Sequence, residues 1–353
     1  MASLAEYRRK RDPARTREPM PGGAKAACGD SFVIQEHHAS ALHWDFRLER
    51  DGVLVSWAVP KGVPPDPKVN HLAVHVEDHP LEYASFEGDI AHGEYGGGAV
   101  TIWDRGTYET EKWTDREVKV VLRGERVQGR FVLFQTGGKD WIIHRMDGPV
   151  RPDWQPLPTG LTPMLATSGP LPGDDGWAFE LAWPGLRCLV RVDGGRIAVS
   201  DSGTDVTAKF PELRGLGEQL GATQALSDGV VVSLDQAGRP DPEKLQWRID
   251  AGSRATALKR AKVEPVVLML VDVLHLDGRP LLSVRYSLRR KALVGLELAG
   301  AAWQTPPAFD GSGADALAAA QALGVGGVVA KSRSSRYRPG QRSQKWIESP
   351  ADR

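Results

Sequence analysis

The side chains best suited to chemistry in this chain sit in one short run, Gln35-Glu36-His37-His38-Ala39-Ser40-Ala41-Leu42-His43-Trp44-Asp45-Phe46-Arg47-Leu48-Glu49. Seven of the nine histidines fall between His37 and His92. Read as a strand, the run has two faces: Leu42, Trp44, Phe46 and Leu48 on one, His43, Asp45, Arg47 and Glu49 on the other. Imidazoles and a carboxylate beside a guanidinium suit a divalent cation with an anionic substrate held next to it. A second stretch, His71-Leu72-Ala73-Val74-His75-Val76-Glu77-Asp78-His79-Pro80, also has period two. Here Leu72, Val74 and Val76 form the apolar face, and His71, His75, Glu77 and His79 the polar one. A lone histidine on a strand is ordinarily a partly buried polar residue, which is the reading for His38, His75, His92 and His144.

Two strands with apolar backs and histidine-rich fronts predict a small β-barrel or curved sheet whose concave side carries the chemistry. Short alternating strands run to about Arg145, preceded by a basic arm over residues 1–30 that begins as a helix. The turn Gly93-Glu94-Tyr95-Gly96-Gly97-Gly98 permits a sharp bend or close backbone approach. Residues 147–163 carry Pro149, Pro152, Pro156, Pro158 and Pro163 and read as an interdomain linker. From Met164 a second body mixes strands (187–192, 266–274, 327–331) with helical stretches such as 314–323.

At 353 residues, 41% hydrophobic and 25% charged, the chain has material for two or three cores. Formal net charge is zero, so nucleic-acid binding can only come from local clusters. Cys28 and Cys188 lie too far apart in sequence to form a zinc motif. No run of 18 apolar residues exists and no apolar signal core follows the basic N-terminus, so the expectation is a cytoplasmic protein with no membrane segment.

Residues 7–146 resemble the 3′-phosphoesterase domain of bacterial DNA ligase D. The resemblance is carried by Tyr7-Arg8-Arg9-Lys10-Arg11-Asp12, Thr16, Glu18-Pro19 and Phe32-Val33-Ile34-Gln35-Glu36-His37-His38. It continues through His43 to Glu49, Ser56-Trp57-Ala58-Val59-Pro60-Lys61-Gly62, His75 to Tyr83, Gly93-Glu94-Tyr95-Gly96 and Trp103-Asp104-Arg105-Gly106. It implies a manganese-dependent enzyme that trims DNA 3′ ends in non-homologous end joining, removing a 3′ nucleoside and then the 3′-phosphate. Carried over by position, His37, His43 and Asp45 would bind the metal, and Arg47 and His79 the scissile phosphate. Arg11, Asp12, Glu18, Lys61 and Tyr83 would complete the site. His79 would either protonate the leaving oxygen or hold the phosphate. His71 stands where the family usually has arginine; if that position touches phosphate, substrate binding is weakened.

Residues 160–348 resemble the nucleotidyltransferase domain of ATP-dependent DNA ligases, through Trp177-Ala178-Phe179-Glu180, Asp228-Gly229, Asp272 to Gly278, Gly327 to Lys331 and Ser335 to Gly340. The family's lysine nucleophile, in a Lys-x-Asp-Gly motif, is here Ala182, and its aspartate is Pro184. Further family positions read Val230 and Gly326 for glutamates, and Glu348 and Pro350 for lysines. A methyl group cannot attack ATP, so ATP is not expected to be used and adenylation is expected to be absent. The resemblance ends where an oligonucleotide-binding (OB) domain would begin. The expected fold is therefore a small β-barrel followed by an α+β ligase-type domain lacking an OB-fold. Lys331, Arg333, Arg336, Arg338, Arg342 and Lys345 fall in a stretch with no acid and are candidates for phosphate-backbone contact. DNA 3′ ends, a Ku-type end binder and a separate active ligase are the partners implied. The competing readings are a non-catalytic DNA-end scaffold and, against Ala182, an ATP-dependent ligase.

Overall fold

A computed structural model describes residues 4–11, 13, 16–22, 29–91, 93–310 and 312–351. Asp12, His92 and Cys28 lie outside the described residues. The chain divides into two compact units, Met1–Trp154 and Gln155–Arg353.

In the first unit nine antiparallel strands follow one another: β1 Ser31–His38, β2 Leu42–Arg50, β3 Val53–Val59, β4 Asn70–His75, β5 Gly88–Ile90, β6 Gly98–Trp113, β7 Glu117–Gly124, β8 Gln128–Gly137 and β9 Asp140–Arg145. Eight close a ring in the order β1-β2-β3-β4-β9-β8-β7-β6, because β1 pairs with both β2 and β6; β5 hangs on the start of β6. Between β2 and β3, Asp51 (φ 50°) and Gly52 (φ 82°) both adopt left-handed conformations, the geometry a two-residue hairpin turn requires. Closure leaves a narrow lumen that side chains fill. All eight ring strands contribute to that core, among them Phe46, Leu48, Trp57, Ala73, Val120, Phe131 and Ile143. Burying each of the larger ones stabilises the barrel by roughly 1.5–3 kcal/mol.

This filling corrects one expectation. The concave side of the barrel is apolar, and the polar face of β1 and β2 looks outward. The alternation proposed for β4 is also reversed. Ala73 lies in the core, and His71 and His75 point the same way, His75 against Trp57 (5.4 Å between rings) and Trp141 (6.0 Å). Leu72 is the exposed residue, at 43%. His71 is buried and its Nδ1 lies 2.7 Å from the Gly62 carbonyl, so it does not share the outward face with Asp45 and Arg47. Weaker substrate binding is expected only if this position touches phosphate.

The second unit holds a five-stranded sheet (165–168, 342–350, 327–332, 177–181 and 309–310, in spatial order) and a seven-stranded sheet. The latter is built around Ala225–Ser233, buried along its whole length between Leu186–Asp193 and Val266–Leu276. Helices Pro242–Ile249, Arg254–Val263 and Gly313–Leu323 begin where Asp241, Ser253 and Ser312 accept the amides of Lys244, Thr256 and Asp315. Each end of the proline-rich stretch packs on its own unit. Val150 donates to the Pro65 carbonyl, Gln155 donates to that of Gly278, and Trp154 and Leu157 are buried. Among the described residues no helix is long and apolar enough to cross a membrane.

Candidate active site

Antiparallel register assembles the cluster. Across β1 and β2, His37 faces His43, Gln35 faces Asp45 and Val33 faces Arg47; across β2 and β3, Arg47 faces Ser56. One patch of outer wall thus collects side chains from three strands. Ligand atoms of His37, His43 and Asp45 all lie within 4.8 Å of one another. His37 Nδ1 is 3.3 Å from Asp45 Oδ2, and His43 Nε2 is 3.6 Å from Asp45 Oδ1.

The other ring nitrogens are committed. His37 Nε2 lies 2.7 Å from the Gly96 carbonyl and His43 Nδ1 lies 3.0 Å from that of Ala41. A carbonyl only accepts, so both of these nitrogens carry hydrogens and donate. In the neutral rings the lone pairs of His37 Nδ1 and His43 Nε2 then face the carboxylate. Acceptors facing acceptors are satisfied by a proton on a ring nitrogen or by a metal cation between them. A ring nitrogen donating outward to a backbone carbonyl is also the usual support of a metal-binding histidine. These three residues therefore fit a divalent cation. Burial pushes the Asp45 carboxyl up, but the Arg47 guanidinium together with the His37 and His43 rings outweighs this and holds it well below the usual carboxylate range.

Arg47 is held by three protein partners, one on each guanidinium nitrogen. Its Nη2 donates to Asp45 Oδ2 (2.9 Å), Nη1 to Ser56 Oγ (2.9 Å) and Nε to Gln35 Oε1 (2.8 Å). Gln35 in turn donates to the carbonyls of Tyr83 and Phe86 (3.1 and 2.8 Å), tying the strand to the 3₁₀ helix Leu81–Ser85. After β4 the chain leaves the strand, and His79 pairs through its backbone with Leu54 on β3, which turns its side chain onto the outer wall. The His79 ring donates from Nδ1 to the Glu77 carbonyl (2.8 Å), leaving Nε2 3.4 Å from Arg11 Nη2. Burial, then the Arg47 and Arg11 charges, lower its pKa well below the ordinary imidazole value.

The amino-terminal arm completes the patch. From the end of helix α1 (Ala5–Lys10), Arg11 reaches Glu18 Oε1 (2.8 Å) and Glu77 Oε1 (3.0 Å), with its guanidinium 3.9 Å from the Tyr7 ring centroid. Tyr83 donates to Glu18 Oε1 (2.9 Å), and burial raises its phenol pKa so that it stays protonated. Lys10 binds Glu77 Oε2 at 2.8 Å. Lys61 is exposed in the turn after β3.

The structure thus brings together Arg11, Glu18, His37, His43, Asp45, Arg47, His79 and Tyr83. Sequence reading missed the bridging roles of Gln35, Ser56 and Glu77. Gln35 lies two residues from His37 on the same strand face, a spacing that could have marked it. His38 is 2.8 Å from Glu36, and His144 is 2.7 Å from Asn70.

In the second unit a cavity of about 160 Å³ is lined by Glu180, Ala182, Arg187, Val230, Lys331 and Glu348, among others. Ala182 presents only a methyl group, and Val230 packs with Val232 and Met269. Arg187 grips Asp228 through both Nε (2.5 Å) and Nη2 (2.6 Å). Lys331, expected on a DNA-facing surface, is instead 2% exposed and bound to Glu180 at 2.8 Å and to the Val271 carbonyl at 3.1 Å. Alternation over Gly327–Ser332 puts it with Val329 on the cavity side, while Val328 and Ala330 pack into the core on the other. Arg336, Arg338, Arg342 and Lys345 are exposed, and Arg333 is half-buried with Nε on the Trp177 carbonyl.

Residues 35–135 match the family model for the DNA ligase D 3′-phosphoesterase domain, and residues 163–348 that for the ATP-dependent DNA ligase domain. The multifunctional non-homologous end joining protein LigD of Mycobacterium bovis is 47% identical over 98% of this chain and 45% of its own length. The LigD of Pseudomonas aeruginosa is 35% identical over 98% of this chain and 46% of its own length. This chain therefore spans less than half the length of these relatives. A solved structure of mycobacterial DNA ligase D with ATP and MES is 38% identical over 54% of this chain and 60% of that one, with a TM-score of 0.46. A closed eight-stranded barrel bearing the phosphoesterase match, followed by a ligase-domain match over more than half the sequence, makes this chain a member of the DNA ligase D family.

Proposed function

We propose that this chain is a metal-dependent 3′-phosphoesterase, with manganese the expected ion, that heals DNA 3′ ends for non-homologous end joining. The observation that carries the reading is the lone-pair arrangement of His37, His43 and Asp45 with Arg47 bonded beside it. Charge balance supports it independently. Lys10, Arg11 and Arg47 are offset by Glu18, Asp45 and Glu77, so the protein groups alone offer a phosphate dianion no net attraction. A divalent cation at the histidine cluster would supply the missing charge, polarise a phosphoryl oxygen and acidify a bound water.

The chain's own residues do the rest. Arg47, locked by Gln35, Ser56 and Asp45, presents a fixed guanidinium to the phosphate without reorganising. Arg11 approaches from the arm, so the phosphate sits between two guanidinium groups. Its negative charge offsets the two cations that depress His79. The basicity of Nε2 then rises, so that His79 can carry a proton to the departing oxygen. Tyr83 and Glu18 hold Arg11 in place.

The ligase-like unit is read as unable to adenylate, because no nucleophile stands at Ala182 and Lys331 is consumed by Glu180. Its exposed Arg336, Arg338, Arg342 and Lys345 would serve as a DNA-holding surface. A Ku-type end binder and a separate active ligase would complete the repair, in the bacterial cytoplasm.

The test is a primer–template ending in a 3′-phosphate, incubated with and without manganese, beside His43→Ala. Conversion to a 3′-hydroxyl is expected only with metal and intact His43. No conversion while DNA stays bound would replace this reading with a non-catalytic end-binding scaffold.

A further inference from the structure

The loop between β5 and β6 holds a tyrosine that the site described above does not use. Tyr95 is 49% exposed, yet it is fixed in place. Its hydroxyl accepts from Lys10 Nζ at 3.1 Å, and that ammonium lies 4.4 Å from the ring centroid. Lys10 is held in turn by Glu77 and Glu6. The Arg11 guanidinium carbon, whose Nη2 lies against His79, is 5.8 Å from the same ring. On the other side, the residue after Tyr95 is Gly96, whose carbonyl holds His37. The ring is thus bracketed by both halves of the phosphate site, one peptide from the histidine cluster and one guanidinium from His79. Its turn is braced by amide bonds from Glu94 to the Ala91 carbonyl and from Gly97 to that of Glu94.

We propose that Tyr95 is a nucleobase platform, stacking the base of the 3′-terminal nucleoside whose phosphodiester enters the site. The proposal rests on the phosphoesterase reading. A half-exposed aromatic ring with fixed orientation costs little entropy to use, and every base offers a π face, so such stacking tolerates any sequence. The terminal nucleoside has one free face and is the least costly to unstack. Hydrolysis there adds a water oxygen to phosphorus and breaks the bond to the departing nucleoside's 5′ oxygen, which takes a proton; the strand keeps a 3′-phosphate. That product no longer has the base Tyr95 holds. The platform therefore favours nucleoside removal without slowing the later phosphate step.

The test compares the full chain with Tyr95→Leu and Tyr95→Phe on three manganese-containing reactions. The substrates are duplexes ending in a 3′-ribonucleoside, in the same sugar without its base, and in a 3′-phosphate. Tyr95→Leu is expected to raise KM about tenfold on the base-bearing end. On the other two ends it should change KM by less than about twofold, and Tyr95→Phe should match wild type. An equal rise on all three ends, or a Tyr95→Phe effect as large as that of Tyr95→Leu, would overturn the proposal in favour of a mere clamp on Lys10. Metal-free equilibrium binding of the first two duplexes decides the point without turnover. Wild type should prefer the base-bearing end and Tyr95→Leu should not; no preference in wild type would also overturn it. If wild type binds with that preference but converts nothing, the phosphoesterase reading fails and the platform stands.

Discussion

At the scale of single residues, protonation states are written into the backbone. The carbonyls of Gly96, Ala41 and Glu77 each claim one ring nitrogen of His37, His43 and His79, and so decide which nitrogen faces the site. Burial acts on a histidine elsewhere. His75 is packed against Trp57 and Trp141, and burial, with some help from Lys139, lowers its pKa below 6.5, against the pull of Asp78 and Glu6. The unfolded chain then binds a proton first as pH falls below about 6.5, so stability drops with acidification and levels off below the folded pKa. His79, shifted further down, acts in the same direction. His75→Gln is expected to shrink, without abolishing, the loss of urea stability between about pH 7.5 and about pH 5.5. An unchanged loss would place the titration elsewhere.

At the scale of elements, the outer wall of β1, β2 and β3 supplies one part of the patch, and a short helix with the residues after it supplies the other. The two meet through buried ion pairs, Arg11 with Glu18 and Glu77, and Lys10 with Glu77. Burial pushes the Glu77 carboxyl up, but its bonds from Lys10 and Arg11 outweigh that and lower it. Removing one partner of such a network leaves carboxylates buried and uncompensated, a cost of about 3–5 kcal/mol. Arg11→Ala is therefore expected to release the arm and speed hydrogen exchange at the Tyr83 amide, now bonded to Pro80, by roughly a hundredfold or more. Amides of β7 and β8, remote from the arm in strand order, should exchange as before. Equal acceleration in both places would mean that Arg11 stabilises the barrel itself.

At the scale of the whole molecule, the two units carry different sets of ionic groups. The first carries an ordered set of charged and imidazole groups. The second has a set of ion pairs, Arg289 on Asp272 and Lys331 on Glu180 buried and the part-exposed Arg187 on buried Asp228, around a cavity where Ala182 offers no nucleophile. Such networks hold a fold together whether or not they act on a substrate. With ATP and magnesium, intact mass is expected to show no covalent nucleotide adduct on wild type. Ala182→Lys alone should not restore one, since Pro184, Val230, Gly326 and Glu348 still differ from the pattern. An adduct on wild type would reveal another nucleophile and sink the reading of this unit.

How far the sequence reached depended on the physics involved. Period-two alternation in β2 separated His43, Asp45 and Arg47 from Leu42, Trp44, Phe46 and Leu48, because strand geometry imposes that split wherever one face is buried. That His37, His43 and Asp45 could share an ion, and that Ala182 offers no amine, could be proposed from residue type together with the family resemblance. Alternation could not say which face turns inward. In β4 the imidazoles of His71 and His75 went to the lumen while Leu72 stayed outside, since barrel closure and cross-strand partners such as Ile143 and Trp141 decide that. Nor could it show that Lys331 is buried, or that Gln35, Ser56 and Glu77 lock the two arginines. Those are contacts between residues distant in sequence, and only the closed barrel and its docked arm bring them within hydrogen-bond reach.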